Sequence, residues 1–150
     1  MGLKEKLQAD LTDAIKARNE TKAGTIRMVL AAITTEEVSG KQARVLTDAE
    51  IITVLSREAK KRREAIDAYA AANRADLVAK EKSESEVISA YLPEQLSDSE
   101  IEKLVQEAIS QTGASGPSGM GQVMKFLQPK IAGKADGGKV SAIVKKALGS

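Results

Sequence analysis

The sequence contains neither cysteine nor histidine. Without cysteine there is no disulfide, no thiolate nucleophile and no cysteine-rich zinc site. Without histidine the usual general base at neutral pH is missing, together with the commonest ligand of transition metals. These two absences remove most nucleophilic triads. We therefore expect no catalysis by this chain on its own, no metal site and no cofactor.

Aromatic residues and long apolar runs are also scarce. Two tyrosines and one phenylalanine are too few for a platform on which RNA bases stack. No apolar run approaches the roughly 18 residues that a membrane-spanning helix needs. The segment Met1–Lys6 precedes no apolar core of a secretory signal, and Lys6 stands where a myristoylation motif has Ser or Thr. We expect a cytoplasmic protein with no membrane partner.

Apolar residues recur at helical spacing throughout the chain, and no stretch alternates as a strand does. The pattern predicts an all-α fold. Pro93 cannot continue a helix and disfavours the α conformation at Leu92. We therefore predict an N-terminal four-helix domain at residues 1–92 and a small three-helix C-terminal domain at residues 93–150. Two capping boxes, Thr47–Glu50 and Ser97–Glu100, predict where two of the helices begin.

The stretch from Met120 to Leu148 predicts two short amphipathic helices joined by a glycine-rich turn at residues 133–138. Ser118 and Asp136 are the expected N-caps, and Pro129 is expected to kink or end the first helix. Six lysines lie outside the two apolar stripes and form the candidate anion-binding surface: Lys125, Lys130, Lys134, Lys139, Lys145 and Lys146.

Charge is unevenly distributed along the chain. Residues 92–112 carry a net charge of −4, residues 113–150 carry +5, and residues 1–91 carry +1. A local excess of lysine is typical of surfaces that bind nucleic acid or another anion. The alternative interpretation is a solvated face without a partner.

The turn between the last two helices resembles a phosphate-binding loop. Residues 133–140 match seven of its eight motif positions, but Val140 replaces the Ser or Thr that holds magnesium, and no strand precedes the turn. We reject nucleotide hydrolysis on these grounds. Gly137 and the neighbouring lysines still form a possible contact for one backbone phosphate. Alternatively, Asp136 occupies the free N–H groups itself.

A second basic run lies in the longest predicted helix and comprises Arg57, Lys60, Lys61, Arg62 and Arg63. Consecutive residues of a helix point in different directions, so they cannot form one tight patch. Glu58, Glu64 and Asp67 lie within reach for ion pairs. We favour a salt-bridged solvent face, with an RNA contact as the alternative.

Several motifs together resemble the GatB/YqeY family over nearly the whole chain. They are Arg74-Ala75-Asp76-Leu77, the segment Tyr91–Leu96, the segment Gly121–Lys125 continuing to Pro129-Lys130, the turn Gly133–Gly137, and Val140-Ser141. The resemblance implies a stand-alone protein with two helical domains. It also implies kinship with the tail region of the B subunit of the glutamine-dependent Asp/Glu-tRNA amidotransferase, which grips tRNA. Similar modules are appended to some glutaminyl-tRNA synthetases.

The family label of carbon–nitrogen ligase with glutamine as amido donor is not expected to describe this chain alone. Its 150 residues leave no counterpart of the subunit's catalytic cradle and no room for a glutaminase domain. Our leading hypothesis is a non-catalytic module that binds or delivers tRNA, with no DNA partner. The alternative is an adaptor for a tRNA synthetase or amidotransferase, in which Phe126 is an exposed anchor. A ligase built on lysine and serine alone has no supporting constellation.

Overall fold

The computed structural model describes residues 2–149, and all of their regular secondary structure is helical, which confirms the all-α class. Contacts between Cα atoms group the residues into two compact units, called here unit 1 (up to Leu92) and unit 2 (from Pro93). The helices are α1 (Leu3–Lys16), α2 (Glu20–Glu37), α3 (Asp48–Ala71), α4 (Ala75–Ser89), α5 (Asp98–Thr112), α6 (Met120–Ile131) and α7 (Gly137–Ala147), with a 3-10 turn at Pro117–Gly119.

In unit 1, α2 and α3 each contact the other three helices. Thr47 and Glu50 form the predicted capping box at the start of α3. The apolar stripes of the four helices and one loop residue meet in a single core. Its buried members are Leu7, Ile26, Val29, Ile33, Leu46, Ile51, Val54, Leu55, Ala59 and Ile88.

The connection between α2 and α3 is fastened to the bundle by Glu37, whose side chain is buried. One oxygen of its carboxylate accepts from the Lys4 ammonium at 2.8 Å, and the other accepts from the Leu46 N–H at 3.2 Å. Leu46 itself is buried in the core. A charged side chain therefore sets the path of the loop that leads into α3.

Asn73 makes the turn between α3 and α4. It follows the last turn of α3 with a φ of 58°, in the left-handed region that asparagine tolerates better than most residues. The Arg74 N–H then donates to the Tyr69 carbonyl at 2.9 Å, which closes the end of the helix. This turn brings α4 back along α3, with which it makes extensive contact.

Unit 2 packs α5, α6 and α7 around a second core. Its buried members are Ile101, Val105, Ala108, Val123, Leu127, Ile131, Val140, Val144 and Leu148. Ser97 and Asp136 cap α5 and α7, as predicted: the Ser97 hydroxyl accepts from Glu100 N–H, and the Asp136 carboxylate accepts from Gly138 N–H.

One expectation for α6 was wrong, and one of two outcomes expected at Pro129 does not occur. Ser118 is not its N-cap but lies within the 3-10 turn, and Gly119 precedes the helix without a side-chain cap. A Cβ at Gly119 would lie 2.6 Å from the Ala114 Cβ, so the close packing of this loop requires glycine. Pro129 does not end α6, which runs on to Ile131, because a proline in the last turn removes a single backbone donor. The alternative, a kink at Pro129, stays a prediction.

Within residues 2–149, no helix combines the length and the apolar character needed to cross a membrane.

Candidate nucleic-acid interface

The lysine surface of unit 2 is carried by α6, α7 and the turn between them. Val123, Leu127 and Ile131 on α6 and Val140 and Val144 on α7 are all buried. Because these residues fix which side of each helix faces the core, the lysines between them are directed towards solvent. Five of the six predicted lysines are exposed, and Lys130 is half-buried.

Two of these lysines are held by the acidic helix α5. The Lys130 ammonium lies 3.4 Å from a carboxylate oxygen of Glu107 and 4.7 Å from the centre of the Phe126 ring. The Lys139 ammonium forms an ion pair with Asp98. The acidic segment therefore neutralises part of the lysine surface from within the same unit. An anionic partner would have to compete with α5 for Lys130 and Lys139.

Three lysines remain available to a partner. The side chains of Lys125, Lys134 and Lys146 are exposed and have no ion-pair partner among residues 2–149. Lys145 is exposed as well. Lys125 belongs to α6, Lys134 to the turn and Lys146 to the last turn of α7. These three lysines define the part of the predicted surface that we call the open lysines.

The position of Lys134 is fixed by the segment that opens unit 2. The Leu96 N–H donates to the Lys134 carbonyl at 2.8 Å. The Gln95 side-chain amide donates to the carbonyls of Pro93 and Gly133, each at 2.8 Å. Two motifs that are distant in the sequence, residues 91–96 and 133–137, thus meet in the structure. Their hydrogen bonds hold the turn in place beneath an exposed lysine.

The turn itself is capped. Asp136 Oδ1 accepts from the Gly138 N–H at 3.3 Å. This contact agrees with the alternative in which Asp136 itself occupies the N–H groups of the turn. Its carboxylate already accepts from a donor that a phosphate would use. Gly137 is exposed beside it. The turn therefore offers an anion its lysines rather than an empty helix N-terminus.

The basic run of α3 behaves differently from the lysines of unit 2. Arg57 pairs with Glu36 at 3.4 Å, and Lys61 pairs with Glu58 at 3.2 Å. Lys60 and Arg63 are exposed. These contacts agree with the predicted salt-bridged face.

Arg62 departs from that prediction, since only 4% of its surface is exposed. Its Nη1 donates to a carboxylate oxygen of Glu58 at 2.9 Å and to the Glu58 carbonyl at 3.0 Å. Its Nη2 lies 3.8 Å from the Met28 sulfur on α2. The guanidinium reaches back one helical turn and is covered by α2, so Arg62 is not part of a surface patch.

Phe126 was expected to be an exposed anchor for a protein partner. In the structure its ring is half-buried and packs against the core of unit 2, while the Lys130 ammonium lies over its face. A cation held over an aromatic ring contributes about 0.5–1 kcal/mol at such partly exposed sites. The ring is therefore used within the unit, and the expectation of an exposed anchor was wrong.

Lys103, in the acidic segment of residues 92–112, was not among the predicted site residues. The structure places it beside Lys146, on the lining of an open groove of about 650 Å³ between α5 and α7. Lys103 follows Ser99 by four residues and precedes Gln106 by three, and both of these also line the groove. That helical spacing was the available signal that the three polar side chains share one face.

A second open cleft, of about 470 Å³, lies within unit 1 beside Tyr91. The Tyr91 hydroxyl donates to Asp10 at 2.5 Å, and the Lys6 ammonium lies 5.6 Å from the ring centre. Burial raises the pKa of Tyr91 above its ordinary value, and the hydrogen bond to Asp10 raises it further. Tyr91 therefore stays protonated at neutral pH and ties the end of α4 to α1.

These features define a two-unit, all-helical protein with a lysine surface on its second unit. The chain belongs to the YqeY family, whose model, described as "Yqey-like protein", matches residues 4–148. The match confirms the predicted family. The kinship with the amidotransferase B subunit stays a prediction.

Several curated relatives are fungal proteins named "Altered inheritance of mitochondria protein 41, mitochondrial". The one from Pyrenophora tritici-repentis is 30% identical over 148 residues, which cover 97% of this chain and 80% of the relative. The one from Lachancea thermotolerans is 31% identical over 75% of this chain and 60% of the relative. The one from Eremothecium gossypii is 36% identical over 57% of this chain and 46% of the relative.

These names correct the predicted location. The relatives are named as mitochondrial proteins, which contradicts the cytoplasmic location inferred from the absence of a signal. The inference failed because a missing secretory signal does not distinguish the cytoplasm from an organelle such as the mitochondrion.

Proposed function

We propose that this protein is a non-catalytic module that binds tRNA through the open lysines of unit 2 and presents it to an enzyme. The observation that carries the proposal is the exposure of Lys125, Lys134 and Lys146, which have no ion-pair partner among residues 2–149. Three unpaired ammonium groups on one small helical unit attract a polyanion, and the phosphate backbone of a folded RNA is such a partner.

The chemistry of these side chains favours recognition by shape rather than by sequence. Lysine contacts phosphate as a point charge and does not read base edges in the way that paired arginine donors do. Folded RNA is commonly recognised through its backbone geometry. With three or four phosphates neutralised, the logarithm of the affinity should fall with the logarithm of salt with a slope of about −3.

The family resemblance supports tRNA as the particular RNA. The amidotransferase B subunit that this chain resembles uses its tail to hold tRNA while other parts of that enzyme do the chemistry. The label of carbon–nitrogen ligase would then describe the enzyme that this module assists. A tRNA synthetase or an amidotransferase would be its protein partner.

A titration of the purified full-length protein tests the proposal. It compares a total tRNA pool with a blunt duplex RNA, each at about 50 and about 200 mM salt. The test variant carries Lys125→Glu, Lys134→Glu and Lys146→Glu. The matched control carries Lys16→Glu, Lys41→Glu and Lys82→Glu, three exposed lysines of unit 1, so that both variants change the net charge equally.

We expect tRNA to bind more tightly than the duplex, and the unit 2 variant to lose at least about tenfold in affinity while the control loses much less. Equal losses in the two variants would show that only the net charge matters. No binding of wild-type protein at low salt would refute the RNA proposal. Capture of a tRNA synthetase or amidotransferase without RNA would then favour the adaptor alternative.

A further inference from the structure

The groove between α5 and α7 combines an apolar floor with a basic rim. Its volume is about 650 Å³. Its apolar lining, called here the floor, consists of Val105, Ile143 and Ala147. The polar lining consists of Ser99, Glu102, Lys103, Gln106 and Lys146. Val105 and Ile143 pack in the core of unit 2, whereas Ala147 and the polar lining residues are exposed.

The two lysines of the groove differ from the paired lysines of the same unit. Lys103 and Lys146 have no ion-pair partner among residues 2–149, whereas Lys130 and Lys139 are held by carboxylates of α5. One carboxylate, that of Glu102, lies on the same lining, so the groove carries a net charge of +1. An apolar surface flanked by two unpaired ammonium groups suits a ligand with a flat apolar part and anionic groups attached to it.

The length of the groove decides what kind of ligand fits. Its lining extends from Ser99 to Gln106 on α5, which is about 10 Å at the rise of an α-helix. On α7 it covers one turn, from Ile143 to Ala147. A helical peptide anchors through side chains spread over two or more turns on a longer groove. The floor here is long enough for one planar ring system.

We propose that this groove binds one unpaired nucleotide of the RNA, and this inference rests on the proposed function. The base lies against Ile143 and Ala147, and the phosphates on its two sides contact Lys103 and Lys146. The Gln106 side-chain amide offers a donor and an acceptor to the edge of the base. A paired base cannot enter, because both of its faces are covered by its neighbours in the duplex. The groove therefore selects single-stranded loops or ends.

The test uses a fluorescent single-stranded RNA of about eight nucleotides and mixed sequence. The same strand annealed to its complement serves as the duplex. The full-length protein is titrated with each at about 50 mM salt. Ala147→Glu places a carboxylate on the floor of the groove. Its matched control is Ala142→Glu, since Ala142 is also an exposed alanine of α7 but does not line the groove.

We expect Ala147→Glu to weaken binding of the single strand by about tenfold more than Ala142→Glu does, with equal effects on the duplex. Lys103→Gln, compared with Lys41→Gln, serves as a second pair in case Ala147→Glu disturbs folding. It should lower the salt slope for the single strand by about 0.7. Helical circular dichroism and unfolding midpoints verify that each variant folds.

The outcomes separate this inference from the proposed function. If wild-type protein prefers tRNA but both groove variants bind the single strand as their controls do, the groove proposal is overturned and the tRNA proposal stands. If no RNA binds wild-type protein, both fail. If Ala147→Glu abolishes binding of an acidic amphipathic peptide and leaves RNA binding unchanged, the groove belongs to a protein partner and the nucleotide assignment is overturned.

Discussion

The two units treat their charged side chains in opposite ways. Unit 1 buries four of them: Glu37, Glu58, Arg62 and Glu84. Among the described residues of unit 2, no charged side chain is buried, and its core is apolar. Part of the basic run in unit 1 is therefore buried or paired within the unit, while several lysines of unit 2 remain at the surface. Basic sequence alone does not indicate a binding face.

Arginine and lysine differ physically in a way that fits this division. The planar guanidinium of Arg62 donates to both the carboxylate and the carbonyl of Glu58. Both hydrogen bonds come from Nη1, whose two N–H groups lie in a fixed plane and can reach two acceptors at once. Lysine carries a compact, strongly hydrated charge that stays in water. Of the six lysines of residues 113–150, Lys125, Lys134 and Lys146 accordingly remain open to an external anion.

The largest effect should come from removing the buried charge of unit 1. Arg62→Ala leaves Glu58 buried without its main partner, and we expect a loss of about 3 kcal/mol in the free energy of unfolding. Lys61→Ala is the matched variant, because Lys61 also pairs with Glu58 but its side chain is 70% exposed. Its loss should stay below about 1 kcal/mol. Urea denaturation followed by circular dichroism measures both.

Equal losses of unfolding free energy in Arg62→Ala and Lys61→Ala would contradict the distinction between the buried arginine and the exposed lysine. The Arg62 Nε–H is buried without a hydrogen-bond partner among residues 2–149, so some desolvation cost is left uncompensated in the wild-type protein. Arg62→Met retains the apolar contacts of the side chain and should be less destabilising than Arg62→Ala if packing contributes. Comparing the two substitutions separates the loss of the charge from the loss of volume.

The second-largest effect should be a gain in the affinity of the unit 2 surface for tRNA. Asp98→Asn and Glu107→Gln together release Lys139 and Lys130 from their ion pairs. We expect tRNA to bind about tenfold more tightly, with a salt slope steeper by up to about 2. Glu94→Gln with Glu100→Gln is the control, since both residues are exposed glutamates outside these pairs. An equal gain in the control would mean that net charge, rather than lysine release, improves binding.

A smaller effect concerns Glu84, buried in unit 1. Burial raises the pKa of Glu84 and the nearby Glu81 raises it further, while Arg62 and Lys80 oppose the shift. The ordinary pKa of this carboxyl group is 4.5, and its pKa in the folded protein is higher. As pH rises from 4.5 through the folded-state pKa, the buried group loses its proton less readily than in the unfolded chain, and the fold is destabilised. Glu84→Gln should remove this loss, so that the variant is at least as stable as wild type at neutral pH. Urea midpoints between about pH 4 and 8 measure the effect.

The smallest effect should come from Glu37, whose pKa shifts the other way. Hydrogen bonds from Lys4 and from the Leu46 N–H lower the pKa of Glu37 below its ordinary value of 4.5. Its stabilising contribution is therefore complete above pH 4.5 and is lost as pH falls through the folded value. Lys4→Met removes the hydrogen bond from Lys4 and should reduce the loss of unfolding free energy as pH falls below 4.5. If stability below pH 4.5 depended on pH as in the wild-type protein, the hydrogen bond from the Leu46 N–H alone would keep the pKa of Glu37 low.

Much of the fold follows from local sequence. The apolar periodicity, the capping box Thr47–Glu50 and the cap at Asp136 predict helices that the structure contains. These signals act within one or two helical turns, so no tertiary information is needed to interpret them. The wrong expectation at Ser118 and the helix end that does not occur at Pro129 both concern the ends of α6, where neighbouring loop geometry competes with intrinsic preference.

The candidate interface was predictable only in part. The lysines of α6 and α7 could be identified because their spacing places them off the apolar stripes. Their partners could not, since Glu107 and Asp98 lie 23 and 41 positions away in the sequence from Lys130 and Lys139. The burial of Arg62 against Met28 was equally inaccessible, because it depends on how α2 packs on α3.

By itself, the sequence determined the all-helical class, the caps at Thr47, Ser97 and Asp136, the family and the absence of histidine and cysteine chemistry. The tertiary structure decided which cations are buried, which are paired and which remain open to a partner, and it brought Lys103 beside Lys146. The physical reason is the distance along the sequence over which each kind of interaction acts. Helix periodicity and capping are set by neighbours in the chain, whereas the environment of a charge is set by whatever residues packing places within a few ångströms of it.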